Sequence, residues 1–144
     1  MSFASLRPYF IDRMRAVDPD LREWFDAFNI ENIPSSILDK SWHLAFQPMT
    51  YSGTAHLCLE FNSPVRLSVC LKGYREPQEA VDRAHLFADA IIKECCKPIN
   101  RLTQPHIKNV LPNLVDVRAL TQDNDNVCVL ELSFDCIVII EAKN

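Results

Sequence analysis

The hydrophobic positions of this chain change period several times, and each change marks an element. Near the start, Phe10, Ile11, Met14 and Val17 recur at helical spacing behind Pro8, which suits a first helical turn. Asp18-Pro19-Asp20 predicts a second helix, with Asp18 as its cap and Leu21, Trp24, Phe25 and Phe28 as its apolar stripe. N-terminal helices are therefore expected over 7–28. Asn29 to Lys40, with Pro34 and Ser35-Ser36, reads as a structured connector holding one turn of helix.

The period then becomes two. Trp42, Leu44 and Phe46 alternate with His43, Ala45 and Gln47, which predicts a strand. Pro48 and Gly53 bracket an expected loop, Pro48 to Thr54. A second strand follows with Leu57, Leu59 and Phe61 on one face, then a short turn at Asn62-Ser63-Pro64. Val65, Leu67, Val69 and Leu71 complete an expected hairpin with one apolar face.

Glu76 to Lys97 is the clearest helix. Ala80, Val81, Ala84, Phe87, Ala88, Ile91, Ile92 and Cys95 fall within an arc of about 140° at 3.6 residues per turn. Pro77 suits its first turn and Pro98 stops it. At about 1.5 Å per residue the helix is roughly 30 Å long, enough to cross a sheet. Ile99 to Asn113, with Pro105 and Pro112, reads as an irregular connection. Its length points to a binding loop or to a hidden element. Val115, Val117 and Ala119 begin another strand, and Gln122 to Asn126 forms a polar tip. The last strand alternates Cys128, Leu130, Leu132, Phe134, Cys136, Val138 and Ile140. The expected fold is α+β: an antiparallel sheet of four to five strands covered by one long helix, with N-terminal helices. A single domain, 1–144, is expected, with the sheet and long helix over 42–140.

Composition adds limits to this picture. A net charge of −4 argues against a general nucleic-acid binder, which needs a basic face for phosphates. The first residues carry no signal-peptide pattern, and the apolar run Cys136 to Ile140 is far too short to span a bilayer. A soluble protein made in the cytoplasm is expected. Without an export signal, Cys58, Cys70, Cys95, Cys96, Cys128 and Cys136 read as reduced thiols. Four of them sit in strand patterns as small hydrophobes.

Motifs for chemistry are missing. Two glycines, Gly53 and Gly73, cannot build a phosphate-cradling loop. His43, His56, His85 and His106 lie in separate elements, with no zinc-helix spacing. No catalytic residue, cofactor site or metal site is assigned, and no enzymatic role is expected. Assembly features are more informative. Leu86 and Ala90 lie on the back of the long helix. Ile137 and Ile139 make the end of the last strand apolar on both faces. Either its own fold buries both faces, or a neighbouring subunit covers one. Candidate contact residues are therefore Leu86, Ala90, Ile137 and Ile139, the tip residues Asp123, Asn124 and Asp125, and Pro105 and His106 in the long loop.

The size, the order of elements and the missing catalytic motifs resemble the tail terminator and neck proteins of long-tailed bacteriophages. The string Asn32-Ile33-Pro34-Ser35-Ser36-Ile37-Leu38-Asp39-Lys40-Ser41-Trp42-His43-Leu44 is similar to the connector leading into the first strand of such proteins. The resemblance implies a virion subunit, assembled in the host cytoplasm, that forms a ring, usually a hexamer. The ring would dock on the tail tube protein and on the head connector or stopper protein, with DNA passing through its lumen without specific binding. No membrane partner is implied. The alternatives are another neck or tail-completion protein, a small binding or immunity-type module, and a small metal-dependent enzyme using His43, His56 and the cysteines.

Overall fold

The computed structural model describes residues 3–24, 39–55, 57–73, 76–122 and 125–141. After a turn of 3-10 helix at Phe3–Ser5 come α1 (Leu6–Val17), β1 (Arg22–Glu23), β2 (Ser41–Phe46), β3 (Thr50–Ala55) and β4 (Cys58–Gly73). Then follow α2 (Pro77–Cys95), β5 (Ile107–Gln122) and β6 (Asp125–Glu141). The fold is α+β, with six strands in one sheet and two α-helices among the described residues. The sheet runs β1-β2-β4-β6-β5, and β3 pairs with β4 beside the end of β2. Among the described residues only the β1–β2 pair is parallel, so the sheet is mixed rather than purely antiparallel.

One expected element is corrected at the N-terminus. Asp18 does not cap a second helix. Its Oδ1 accepts from the Asp20 amide, a side-chain turn that ends α1, and Arg22 and Trp24 donate to the Lys40 and Trp42 carbonyls. The stretch after α1 thus enters the sheet as β1. The stripe residues Phe25 and Phe28, and the connector up to residue 38, lie outside the described residues.

The expected hairpin is also corrected. Asn62-Ser63-Pro64 is not a turn, because β4 runs straight through it, paired with β6 from Cys58 to Gly73. Pro64 is tolerated for a positional reason. Beside it β2 has ended and β3 has not begun, and its carbonyl accepts from the Gln47 amide in the gap. The missing Pro64 N–H faces that same gap, where no strand needs it. The real hairpin joins β3, in the expected loop, to β4.

Both helices cover one sheet face. Leu67, Val69 and Leu71 of β4 and Cys128, Leu130, Leu132, Phe134, Cys136 and Val138 of β6 point there and are buried. They meet Ala80, Ala84, Ala88, Ile91 and Cys95 of α2 and Phe10 and Met14 of α1, and the Phe10 and Phe134 rings lie 5.6 Å apart. Burial of this kind contributes about 1.5–3 kcal/mol per large side chain. Tyr9 ties the helices together: its hydroxyl donates to the Cys95 carbonyl at 2.6 Å. That bond satisfies one of the carbonyls left open at the end of α2. Arg83 fixes the other half of α2, binding both Asp39 carboxylate oxygens and the Lys72 carbonyl.

Candidate functional site

The face opposite the helices is crossed by ion pairs. Lys108, in a bulge of β5, reaches Glu60 of β4 at 2.8 Å, and Ile139 of β6 lies between those two strands. Further along, Glu131 of β6 bonds Arg66 of β4 at 2.8 Å and Arg118 of β5 at 3.3 Å. At the far end, Trp24 packs on Cys70, Val127 and Val129. Ile139 is 4% exposed, so the chain's own fold buries it. Ile137 is half-buried between its cross-strand partners Asn62 and Asn109. The two-sided apolar end of the last strand is thus largely covered from within.

The other candidates lie apart. Leu86 is 73% exposed on α2 and Ala90 is exposed beside it, on the opposite side of the molecule from Ile137. Pro105 is exposed. His106 is half-buried, and its carbonyl accepts from the Ile139 amide. Asp125 opens β6 opposite Gln122. Asp123 and Asn124 lie outside the described residues. Among the described candidates the structure brings only Pro105, His106, Ile137 and Ile139 to one region.

The exposed apolar residues gather instead along the two long margins of the sheet. On β5 they are Leu111, Leu114 and Val115, all about half exposed. Among the described residues no strand lies beyond β5. On the β3 margin they are Phe46, Met49, Tyr51 and Leu57. There the N-terminal turn and β2 frame an open groove of about 410 Å³, lined by Phe3, Ala4, Arg7, Pro8, Phe46 and Met49. Sequence reading missed both margins. Bulges at Lys108 and Asn113 break the two-residue period of β5, so its first half looks irregular. A bulge near Ser52 does the same to β3. One sequence signal was available: Phe46 to Leu59 and Asn109 to Val115 contain no Asp, Glu, Lys or Arg.

The chemistry on offer is limited. All six cysteines are free. Burial pushes the Cys70 thiol up to about 11 and the Cys136 thiol up to about 12, and raises Cys95 as well. Such thiols are poor nucleophiles and poor ligands near neutral pH. His43 bonds the Trp24 carbonyl at 3.1 Å, and His56 lies outside the described residues. Among the described residues no three His, Cys, Asp or Glu side chains are placed to hold a metal ion. No helix among them is long and apolar enough to cross a membrane.

A scan against models of known protein families matches none of them, and a search of curated proteins finds no match.

Proposed function

We propose that the chain is a subunit of a homo-oligomeric ring, the tail terminator of a long-tailed bacteriophage, seated on the head-proximal end of the tail tube and joined to the head connector. One observation carries this reading. β5 is a sixteen-residue strand at a sheet edge, and its stretch Asn109 to Val115 has exposed apolar side chains and no charge. Edge strands are normally blunted by charges, because free N–H and C=O groups recruit other chains. Here Pro112 and the bulge at Asn113 interrupt the ladder but leave the apolar surface in place. Such an edge favours a permanent neighbour. Repeating one edge contact around an axis closes a ring. A net charge of −4 suits a ring that DNA slides through without sticking.

Other neck and tail-completion proteins would use the same edge, and the position of the ring in the particle separates them. Light scattering combined with negative-stain microscopy of purified tails is the test. Rings capping tail tubes support the reading. A strict monomer at high concentration that also ignores tail tubes refutes it. A stable complex with one unrelated protein, away from any tail, would favour an immunity-type module.

A further inference from the structure

The outer edge of β5 carries a definite order of donors, acceptors and charges. The Ile139 amide donates to the His106 carbonyl, so Ile139 faces β5. Alternation along β6 turns Ser133, Glu131 and Val129 the same way, toward their β5 partners Leu114, Asp116 and Arg118. The Cys70 carbonyl gives the same answer from the other side: it accepts from the Lys40 amide, away from its β6 partner Val129. Val115, Val117 and Ala119 therefore turn N–H and C=O outward, where no strand lies among the described residues. Val115 is 46% exposed and Ala119 is exposed, so neither described helix overhangs this edge.

Between these positions stand Asp116 and Arg118, on the sheet face away from the helices, with side chains 49% and 59% exposed. Arg118 holds Glu131 at 3.3 Å and reaches Asp116 at 3.8 Å. A guanidinium has five donors, so Arg118 can take a further carboxylate without releasing Glu131. We infer that two copies of the free protein pair their β5 edges antiparallel about a two-fold axis at Val117, with Asp116 of each copy opposite Arg118 of the other. This rests on the reading of β5 as an assembly edge and adds a state before assembly. A two-fold contact closes at two copies, so it has to open before β5 takes its neighbour in a ring.

Charge selects both the occupant and the register. An antiparallel strand bonds to this edge when outward residues meet outward residues, so the allowed registers differ by steps of two. With a second copy, Val117 opposite Val115 sets Asp116 against Asp116, and Val117 opposite Ala119 sets Arg118 against Arg118. Val115 or Ala119 opposite itself leaves both charges facing uncharged residues. Val117 opposite itself pairs Asp116 with Arg118, and does so twice. Opposite charges facing each other across strands stabilise the pair, and like charges destabilise it. The four charges then alternate in sign around the axis. Pro112 and the bulge at Asn113, which interrupt the ladder, fall opposite Thr121 and Gln122, where the partner strand ends. An unrelated strand has no reason to carry this pattern, whereas a second copy carries it by identity.

The test is sedimentation velocity of the full chain. The unaltered protein should sediment as a concentration-dependent dimer. Asp116→Arg and Arg118→Asp each bring like charges together and should each weaken the dimer roughly tenfold. Mixed in equal amounts, the two variants face each other with opposite charges, and association should return close to its original strength. The double variant Asp116→Arg/Arg118→Asp should dimerise alone, and it keeps a cation opposite Glu131. An unchanged Tm verifies each fold. A strict monomer at high concentration, single variants that dimerise like the original, or a mixture no tighter than its parts overturns the pairing. Rings formed on purified tail tubes by such a protein leave the ring reading standing. A charge-dependent dimer that forms no ring on tubes keeps the pairing and overturns the ring.

Discussion

Lys108 and Glu60 form an ion pair at 2.8 Å although they stand on strands that do not touch, with Ile139 of the intervening strand between them. The lysine stem can lie over Ile139 while its ammonium stays near water, which is how long cationic side chains cover apolar surface. The Lys108 side chain is 45% exposed, so screening makes the charge itself worth little. Lys108→Ala should destabilise by about 0.5–1 kcal/mol, mostly through lost cover. Lys108→Met should recover most of that. Urea unfolding of both variants at low and high salt checks the split. Equal losses in both would assign the role to charge.

Leu57 has φ +64° and is 70% exposed in the β3–β4 hairpin. A leucine in the left-handed region costs about 1–2 kcal/mol, whereas asparagine visits it readily. Leu57→Asn should therefore raise stability by about 0.5–1 kcal/mol, read as a higher Tm. An unchanged or lower Tm would mean that Leu57 packs against something that holds it there.

Two carboxylates predict an acid limb. The Lys40 ammonium, 2.9 Å away, and the Asp20 amide hold Asp18 below its ordinary value of 3.8. Lys97, then Arg13, do the same for Glu94, below 4.5. Unfolded, both groups bind protons more readily. Their contribution is complete above the ordinary values and is lost as pH falls through the folded ones. Urea midpoints should be flat from about pH 6 to 8 and fall below about 4.5. Combining Asp18→Asn with Glu94→Gln should flatten the acid limb. An unaltered limb would place its origin in other groups.

The thiols predict an alkaline counterpart. Cys70, Cys95, Cys128 and Cys136 are buried, whereas Cys58 and Cys96 are half-buried. The raised values of Cys70 and Cys136 mean that their burial is fully favourable below the ordinary value of 9.0 and is lost as pH climbs from there through the folded values. A thiol reagent at pH 8 should label at most Cys58 and Cys96 in the native protein, and all six after unfolding. Rapid native labelling of Cys136 would contradict the core described above.

How much of this was legible in the sequence follows from the regularity of each element. α1 and α2 announced themselves because 3.6-residue periodicity survives intact from Phe10 to Val17 and from Ala80 to Cys95. β6 did too, since Cys128 to Val138 alternates without a break. The margins were not legible. β5 and β3 carry bulges that shift the alternation, and Pro112 looks like a strand breaker until it is seen at an edge. Pro64 misled in the same way, because its missing N–H matters only in a sheet with no gap there. The second face of Ile139 could not be resolved either, since the Lys108–Glu60 pair on the two strands flanking it is far off in sequence. Of the two readings open for the end of β6, the chain's own fold covers Ile139, and the exposed apolar residues of that region lie on the neighbouring β5.

The central claim is that β5 is an assembly edge, and amide hydrogen exchange across 109–117 reads it most directly. In dilute protein the β5 amides that do not face β6 should exchange rapidly. At high concentration, or on purified tail tubes, they should become protected at least tenfold, while amides in α2 stay unchanged. Equal exchange across 109–117 in dilute, concentrated and tube-bound samples would contradict the account.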